Sequence, residues 1–253
     1  MSPVQPTMGN RAVKKQDILT IDKQFTDNIR CLGVGCTYLP EGFGQFLADA
    51  EPYIMLRQRQ FLEDNDMNRQ IIPIVAFVEQ AKNEDEEPKF LIFQRTPMGG
   101  EARLFGKHTT MFGGHIDAKD VIYDALSVKD VEATVKGAIV REVMNEEIIV
   151  EKDGERLELD IVNCKPIGLL IEDNPSNNDK VAVGKVHLGL FYIYVLPEGC
   201  TFRSDDADIS VVGLKTPREL EEEGCYDLEP WAAYGIHAAT SILYAQRHLR
   251  MPR

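Results

Sequence analysis

The apolar and polar positions divide the chain into a strand-rich body closed by a helix. Asp17–Asp22 (DILTID) alternates and predicts a short strand. Phe46–Leu62 spaces its apolar residues as a helix does, interrupted at Pro52, with Tyr53, Leu56 and Phe61 as expected core contacts. Ile71–Glu79 (IIPIVAFVE) is β-branched and apolar, a strand in spite of Pro73. The charged stretch Gln80–Pro88 turns the chain, and Lys89–Arg95 (KFLIFQR) returns as a second strand, broken by the Gly99-Gly100 turn.

Helical spacing then runs from about Lys129 to Glu147. Strand signals follow at Ile161–Val162 and Ile167–Ile171, and Asp173–Asp179 (DNPSNND) reads as a turn. Val186–Leu196 (VHLGLFYIYVL) is the most apolar run, which predicts a central strand, and Asp208–Leu214 adds another. Pro217–Glu223 predicts a short acidic helix, with Thr216 as its N-cap and Pro217 at its first position. Glu229–Leu249 reads as a final amphipathic helix. No internal repeat or linker interrupts the chain after residue 17. The expected organisation is a disordered tail over 1–16 and one domain over 17–253, of which 17–70 is an N-terminal extension.

Composition narrows the function classes. The 253 residues are 43% hydrophobic and 27% charged, as in ordinary globular domains. A net charge of −13 disfavours general nucleic-acid binding and anionic membrane surfaces. It leaves room for a small phosphorylated substrate, because a metal ion bridges carboxylates to phosphates. Five cysteines without a Cys-x-x-Cys argue against a disulfide framework or a zinc ribbon and make a reducing cytoplasm the expected location. The N-terminal stretch lacks the apolar core of a secretory signal, and no run of 18 apolar residues predicts a membrane span.

The chemistry concentrates in Gly113-Gly114-His115-Ile116-Asp117 and in Arg141-Glu142-Val143-Met144-Asn145-Glu146-Glu147. On an α-helix, Ala133, Gly137, Val140, Met144 and Ile148 fall on one apolar stripe, with Glu142 and Glu146 one turn apart on the other side. Asn145 projects between those two glutamates, and Glu147 projects back near the stripe. Like charges at that spacing repel; a hard divalent cation such as Mg²⁺ converts the pair into a site. Taken alone, such a pair is more often a solvated helix face.

Glycines before a loop, then Arg-Glu-apolar-x-x-Glu on a helix, resemble the Nudix box of the Nudix hydrolases. The matching residues are Gly114, Arg141, Glu142, Val143 and Glu146. The stretches GGEARLFGKHTTMFGGHID and KVHLGLFYIYV are similar to those of a subgroup of bacterial and phage Nudix proteins with an N-terminal extension. The resemblance runs from about residue 17 to the C-terminus. It implies the Nudix fold, an α/β/α sandwich around a mixed β-sheet. It also implies Mg²⁺ or Mn²⁺ held by Gly113 (carbonyl), Glu142, Asn145 and Glu146, with Arg141 orienting the catalytic glutamate and Glu142 and Glu146 catalytic.

The chain departs from the family pattern in its spacing. Residues 115–140 separate the box glycine from its arginine, thirteen more than the family has. A loop insertion costs little, so the fold survives it. The family's first glutamate aligns with Ala133, beside Glu132, and the first of its Glu-Glu pair is Asn145; the late glycine is Ile148. Asn145 offers a carbonyl oxygen but no charge, so metal affinity falls or the site draws partly on Glu147.

Around the Gly99-Gly100 turn, Arg95, Glu101, Arg103 and Lys107 cluster; Arg95, Arg103 and Lys107 are candidates for holding substrate phosphates, and solvated loop charges are an equal alternative. Glu172 and Asp173 could supply a late carboxylate. His187 and Trp231 read as core residues, and His115 as a polar loop residue. The expected activity is metal-dependent hydrolysis of a nucleoside diphosphate linked to another moiety, with a small nucleotide as substrate. The alternative is a degenerate Nudix domain that binds a nucleotide or a partner protein. A homodimer is compatible with either.

Overall fold

In this computed structural model the described residues are 16–27, 29, 35–38, 42–62, 67–83, 85–98, 104–125, 129–172, 185–222, 224 and 226–250, without the side chains of 35–38, 146 and 247–250. Residues 1–15 of the expected tail over 1–16, the Gly99-Gly100 turn with Glu101 and Arg103, the Asp173–Asp179 turn and Glu223 lie outside them.

The strands, in chain order, are β1 (Asp17–Asp22), β2 (Gly35–Tyr38), β3 (Ile54–Gln58), β4 (Asn68–Glu79), β5 (Lys89–Arg95), β6 (His108–Thr109), β7 (Phe112–Gly113), β8 (Ile149–Lys152), β9 (Glu155–Arg156), β10 (Cys164–Ile171), β11 (His187–Leu196), β12 (Thr201–Arg203) and β13 (Ile209–Lys215). The α-helices are α1 (Lys23–Asp27), α2 (Phe43–Ala50), α3 (Val131–Ile139), α4 (Pro217–Glu222) and α5 (Pro230–Arg250). A π-helix, Val140–Glu147, continues α3.

Among the described residues the main sheet runs β13-β5-β4-β11-β10-β2. Its centre is the parallel pair β4–β11, in register from His187 opposite Gln70 to Leu196 opposite Glu79. Both strands are buried on both faces, which explains their almost unbroken apolar sequence. Pro73 is accommodated where the other edge of β4 changes partner, from β1 at Asn68–Gln70 to β7 at Ile74–Val75.

Alternation along the strands feeds two cores. Ile71, Val75 and Phe77 of β4 pack with Leu188, Leu190 and Tyr192 of β11 under α2, α3 and the π-helix. Ile74, Ala76, Val78, Phe191 and Ile193 pack under α4 and α5, with Trp231, Ile236 and Leu243. The result is a mixed sheet between helical layers, an α/β/α sandwich. Burying each such Leu, Ile or Phe contributes about 1.5–3 kcal/mol. Trp231 belongs to this core, as its sequence context predicts, and α4 opens with a capping box: Thr216 Oγ1 accepts from Glu219 N–H at 3.1 Å, and Glu219 accepts from Thr216 N–H at 2.7 Å.

The expected helix over Phe46–Leu62 is corrected. Only Phe43–Ala50 is α-helical, and Ile54–Gln58 is the edge strand β3, paired antiparallel with β1 from Asp17 opposite Gln58 to Ile21 opposite Ile54. Tyr53, Leu56 and Phe61, expected in the core, are 45%, 37% and 65% exposed. Helical spacing in that stretch is overridden by β1, which offers Ile54 a buried register that no local pattern encodes. Ile161–Val162, expected as strand, lies in a 3₁₀ turn, Ile161–Asn163, before β10.

Among the described residues no helix is long and apolar enough to cross a membrane. Cys164 and Cys200 are free thiols.

Candidate active site

The site is assembled where β7 meets the π-helix. Phe112 is wedged between Phe77 and Phe93, with ring centroids 5.4 and 4.4 Å away, which anchors β7 in the core. β7 then pairs with β4 through Gly113 and Ile74. The approach is too close for any side chain: a Cβ on Gly113 would stand 2.1 Å from the Pro73 carbonyl oxygen. A Cβ on Gly114 would lie 2.7 Å from the Glu142 carboxyl carbon. The two glycines therefore let the strand end lie against β4 and let the Glu142 carboxylate lie against the backbone.

Arg141 fixes that carboxylate. Its Nη1 donates to Glu142 Oε1, its Nε and Nη2 donate to the two oxygens of Asp120 at 2.8 and 2.5 Å, and Nη2 also donates to the His115 carbonyl at 3.0 Å. One planar guanidinium thus ties the helix, the Gly114–His115 segment and the loop before the helix together. These hydrogen bonds raise the already high pKa of Arg141. Burial pushes the Asp120 carboxyl up, but hydrogen bonds from Arg141 and the backbone outweigh it and hold the group below its usual value.

Asp120 stands six residues after Gly114, in the loop before the helix, and was not singled out from the sequence. It closes a 3₁₀ turn, Ala118–Asp120, whose capping box joins Asp117 and Asp120, with Asp117 N–H donating to Asp120 Oδ2 at 2.8 Å. Its acidic residue in a turn, Asp-x-x-Asp, was the available signal.

The helix that carries the acidic residues is not α-helical at this point. Ile148 N–H donates to Val143 O at 3.3 Å, five residues back, so the turn is wider than an α-turn and changes where successive side chains project. Beyond Glu142, the helix carboxylate described against the glycine turn is Glu147. Glu147 is buried, accepts a hydrogen bond from the Gly113 backbone, and feels the charge of Glu142. Burial, reinforced by Glu142 and Asp206 and opposed by Arg95, pushes its carboxyl up to about 8. Its Oε2 has no hydrogen-bond partner among the described residues. Of the expected apolar stripe, Met144 and Ile148 are buried, while Ala133, Gly137 and Val140 are half-buried; Val135, Ala138, Ile139 and Val143 supply the rest of the buried face.

The other anticipated residues separate. Asn145 is exposed and lines a groove of about 390 Å³ with Met144, Leu157 and Leu159. The Glu146 side chain and Arg103 lie outside the described residues. Arg95 Nε is 3.0 Å from buried Glu229, with its guanidinium over the Phe93 ring at 5.0 Å. Lys107 pairs with Asp227 at 2.8 Å. Glu132 is exposed and pairs with Lys136 at 2.6 Å. Glu172 is buried at the end of β10. His187 is buried with its ring 5.6 Å from that of His115 and 6.5 Å from Trp231. Among the described residues no three His, Cys, Asp or Glu side chains converge on a metal position.

The structure is similar to that of Tm1382, a protein whose description as a Nudix hydrolase is itself provisional, with a TM-score of 0.60 over 90% of this chain and all of that one at 21% identity. The fold is that of the Nudix hydrolases. A Nudix hydrolase from Alicyclobacillus acidocaldarius aligns over 72% of this chain and 96% of its own at 13% identity, with a TM-score of 0.48. In sequence, the chain is 28% identical over 193 residues to Protein YmaB of Bacillus subtilis (strain 168), covering 76% of this chain and 81% of that protein. No protein-family model matches the chain.

Proposed function

We propose that the protein is a divalent-cation-dependent hydrolase of phosphoanhydride bonds, acting on a nucleoside diphosphate linked to another moiety. The observation that carries this is the Glu142 carboxylate, held by Arg141 against the bare backbone of Gly114. A carboxylate fixed there without its own side-chain freedom is prepared to act before any ligand arrives.

Glu147 completes the arrangement. Its unpartnered, buried Oε2 and the Glu142 carboxylate give an all-oxygen donor set one π-turn apart, with the Gly113 carbonyl as a third candidate. Such donors suit Mg²⁺ or Mn²⁺. When bound, a divalent ion supplies charge neutralisation at the phosphoryl oxygens and an acidified water. The chain's own residues supply the rest. Arg141 keeps Glu142 oriented, and Asp120 keeps Arg141 oriented. Arg95, anchored by Glu229 and electrostatically opposite Glu147, moderates the charge on Glu147; we assign it that role in place of phosphate binding. A carboxylate of the helix, Glu146 or Glu147, accepts the proton of the attacking water, and the bond broken is the phosphoanhydride between the two phosphates.

The test is product release across a panel of nucleoside triphosphates, nucleotide sugars, dinucleotides and dinucleoside polyphosphates, with and without Mg²⁺ or Mn²⁺. Cation-dependent release from at least one diphosphate-linked nucleotide is expected, and its loss in Glu142→Gln. Nucleotide binding with no release under either cation would overturn the hydrolase and leave a binding domain.

A further inference from the structure

One polar side chain of the central strand reaches the turn that carries the site. β4 is apolar from Ile71 to Val78, yet Gln70, at the head of that run, is fully buried. Its backbone is fixed on both sides: its N–H donates to Val186 O at 2.8 Å, and it lies opposite Thr20 of β1 and His187 of β11. Its side chain meets His115, with Gln70 Oε1 2.8 Å from His115 Nε2. A carbonyl oxygen only accepts, so Nε2 donates. The amide nitrogen of Gln70 has no hydrogen-bond partner among the described residues. A buried amide satisfied at one end only is a poorer core residue than a leucine of similar size, so stability alone does not account for it.

His115 passes the constraint on. It is held at its imidazole by Gln70 and at its carbonyl oxygen by Arg141 Nη2, 3.0 Å away. The next residue is held from the other side, where Leu19 N–H donates to Ile116 O at 2.8 Å. The exit of the glycine turn is thus pinned to β4 by one side chain and to β1 by backbone. Arg141 serves all its acceptors with one planar fork, so a shift of the His115 carbonyl moves the group that donates to Asp120 and Glu142.

We propose that Gln70 is a positioning residue for the Glu142 carboxylate, acting through His115 and Arg141. That Glu142 is positioned for hydrolysis rests on the hydrolase reading; the link itself is read without turnover, at the Nε–H of Arg141. In proton–nitrogen correlation spectra of labelled protein, that signal is assigned by its absence from Arg141→Lys. Gln70→Leu is expected to melt near the parent and to speed solvent exchange of the Arg141 Nε–H by about tenfold, the scale of one lost hydrogen bond. His115→Phe does the same, and at a half-buried loop position it carries the test if the core substitution unfolds. His115→Gln places an amide N–H₂ where Nε2 stood and brings exchange back toward the parent rate, a rescue that a role in packing alone would not give. On a substrate of the parent, kcat falls by about tenfold in Gln70→Leu and His115→Phe with KM unchanged, as for an arrangement needed only in the transition state. Parent-like Arg141 exchange in the folded variants, equal exchange in His115→Gln and His115→Phe, or a loosened Arg141 with kcat intact overturns the proposal. Absence of cation-dependent turnover by the parent would instead overturn the hydrolase, while exchange at Arg141 still decides the link.

Discussion

The Glu142 carboxylate occupies the space that a side chain on residue 114 would need, with its carboxyl carbon 2.7 Å from where a Cβ would be. The glycine is therefore part of the site's shape, and the helix carrying Glu142 cannot approach the strand end without it. Gly114→Ala is expected to push Glu142 off its bond with Arg141. Overpacking of this kind costs about 1–3 kcal/mol, so the melting temperature falls while the protein still folds. Activity should fall further than stability does; a variant that keeps full turnover would place the reacting atoms elsewhere.

Asp120 holds Arg141 through both of its oxygens. Asp120→Asn removes the charge, and at neutral pH the loss should be about 1–3 kcal/mol, the range for hydrogen bonds to charged groups. Because the folded carboxyl sits below its unfolded value, its contribution is complete above about pH 4 and disappears as pH falls through the folded value. Urea unfolding at neutral pH and at low pH should therefore show the parent–variant gap closing in acid.

Glu147 has the opposite sign. Its carboxyl is raised to about 8, so between about pH 4 and about pH 8 the metal-free folded state keeps a proton that the unfolded chain has released. Stability from this group declines as pH rises through that window. Glu147→Gln stays uncharged and should gain on the parent over the same range, by several kcal/mol at most. Saturating Mn²⁺ should restore the parent by mass action and leave the variant nearly unmoved. Melts at two pH values, with and without Mn²⁺, read both effects.

The π-turn makes a further distinction between adjacent glutamates. With Glu147 buried against the Gly113 backbone, Glu147→Gln should lose the larger share of cation-dependent turnover, on the order of a hundredfold. Glu146→Gln should lose less. The reverse order in steady-state kinetics would show that the four-residue spacing governs the site.

Asn145→Glu tests the same register from the other side. Asn145 is exposed and faces the groove with Leu157 and Leu159, so an added carboxylate there should not change the stabilisation by Mn²⁺. A larger Mn²⁺-induced shift in the melting temperature than the parent shows would return residue 145 to the ligand set.

Local pattern sufficed for much of this molecule. β4, β5 and β11 are legible because strands buried on both faces must be apolar throughout, and α4 because Thr216 and Glu219 cap each other within four residues of chain. Gly113-Gly114 and Arg141-Glu142 were also legible, since close backbone approach and a charge-assisted pair each demand particular residue types. The tertiary structure decided what depends on partners distant in sequence. Ile54–Gln58 became a strand because β1 was there to pair with it. Asp120 acquired its role only when the 3₁₀ turn Ala118–Asp120 brought it to Arg141, 21 residues on. The placement of Glu147 against Gly113 goes with one hydrogen bond, from Ile148 to Val143 rather than to Met144. An α-turn and a π-turn differ there by a single residue, and their sequence patterns are too alike to separate; packing of Val143 and Ile148 into the core and of Glu147 against Gly113 selects between them.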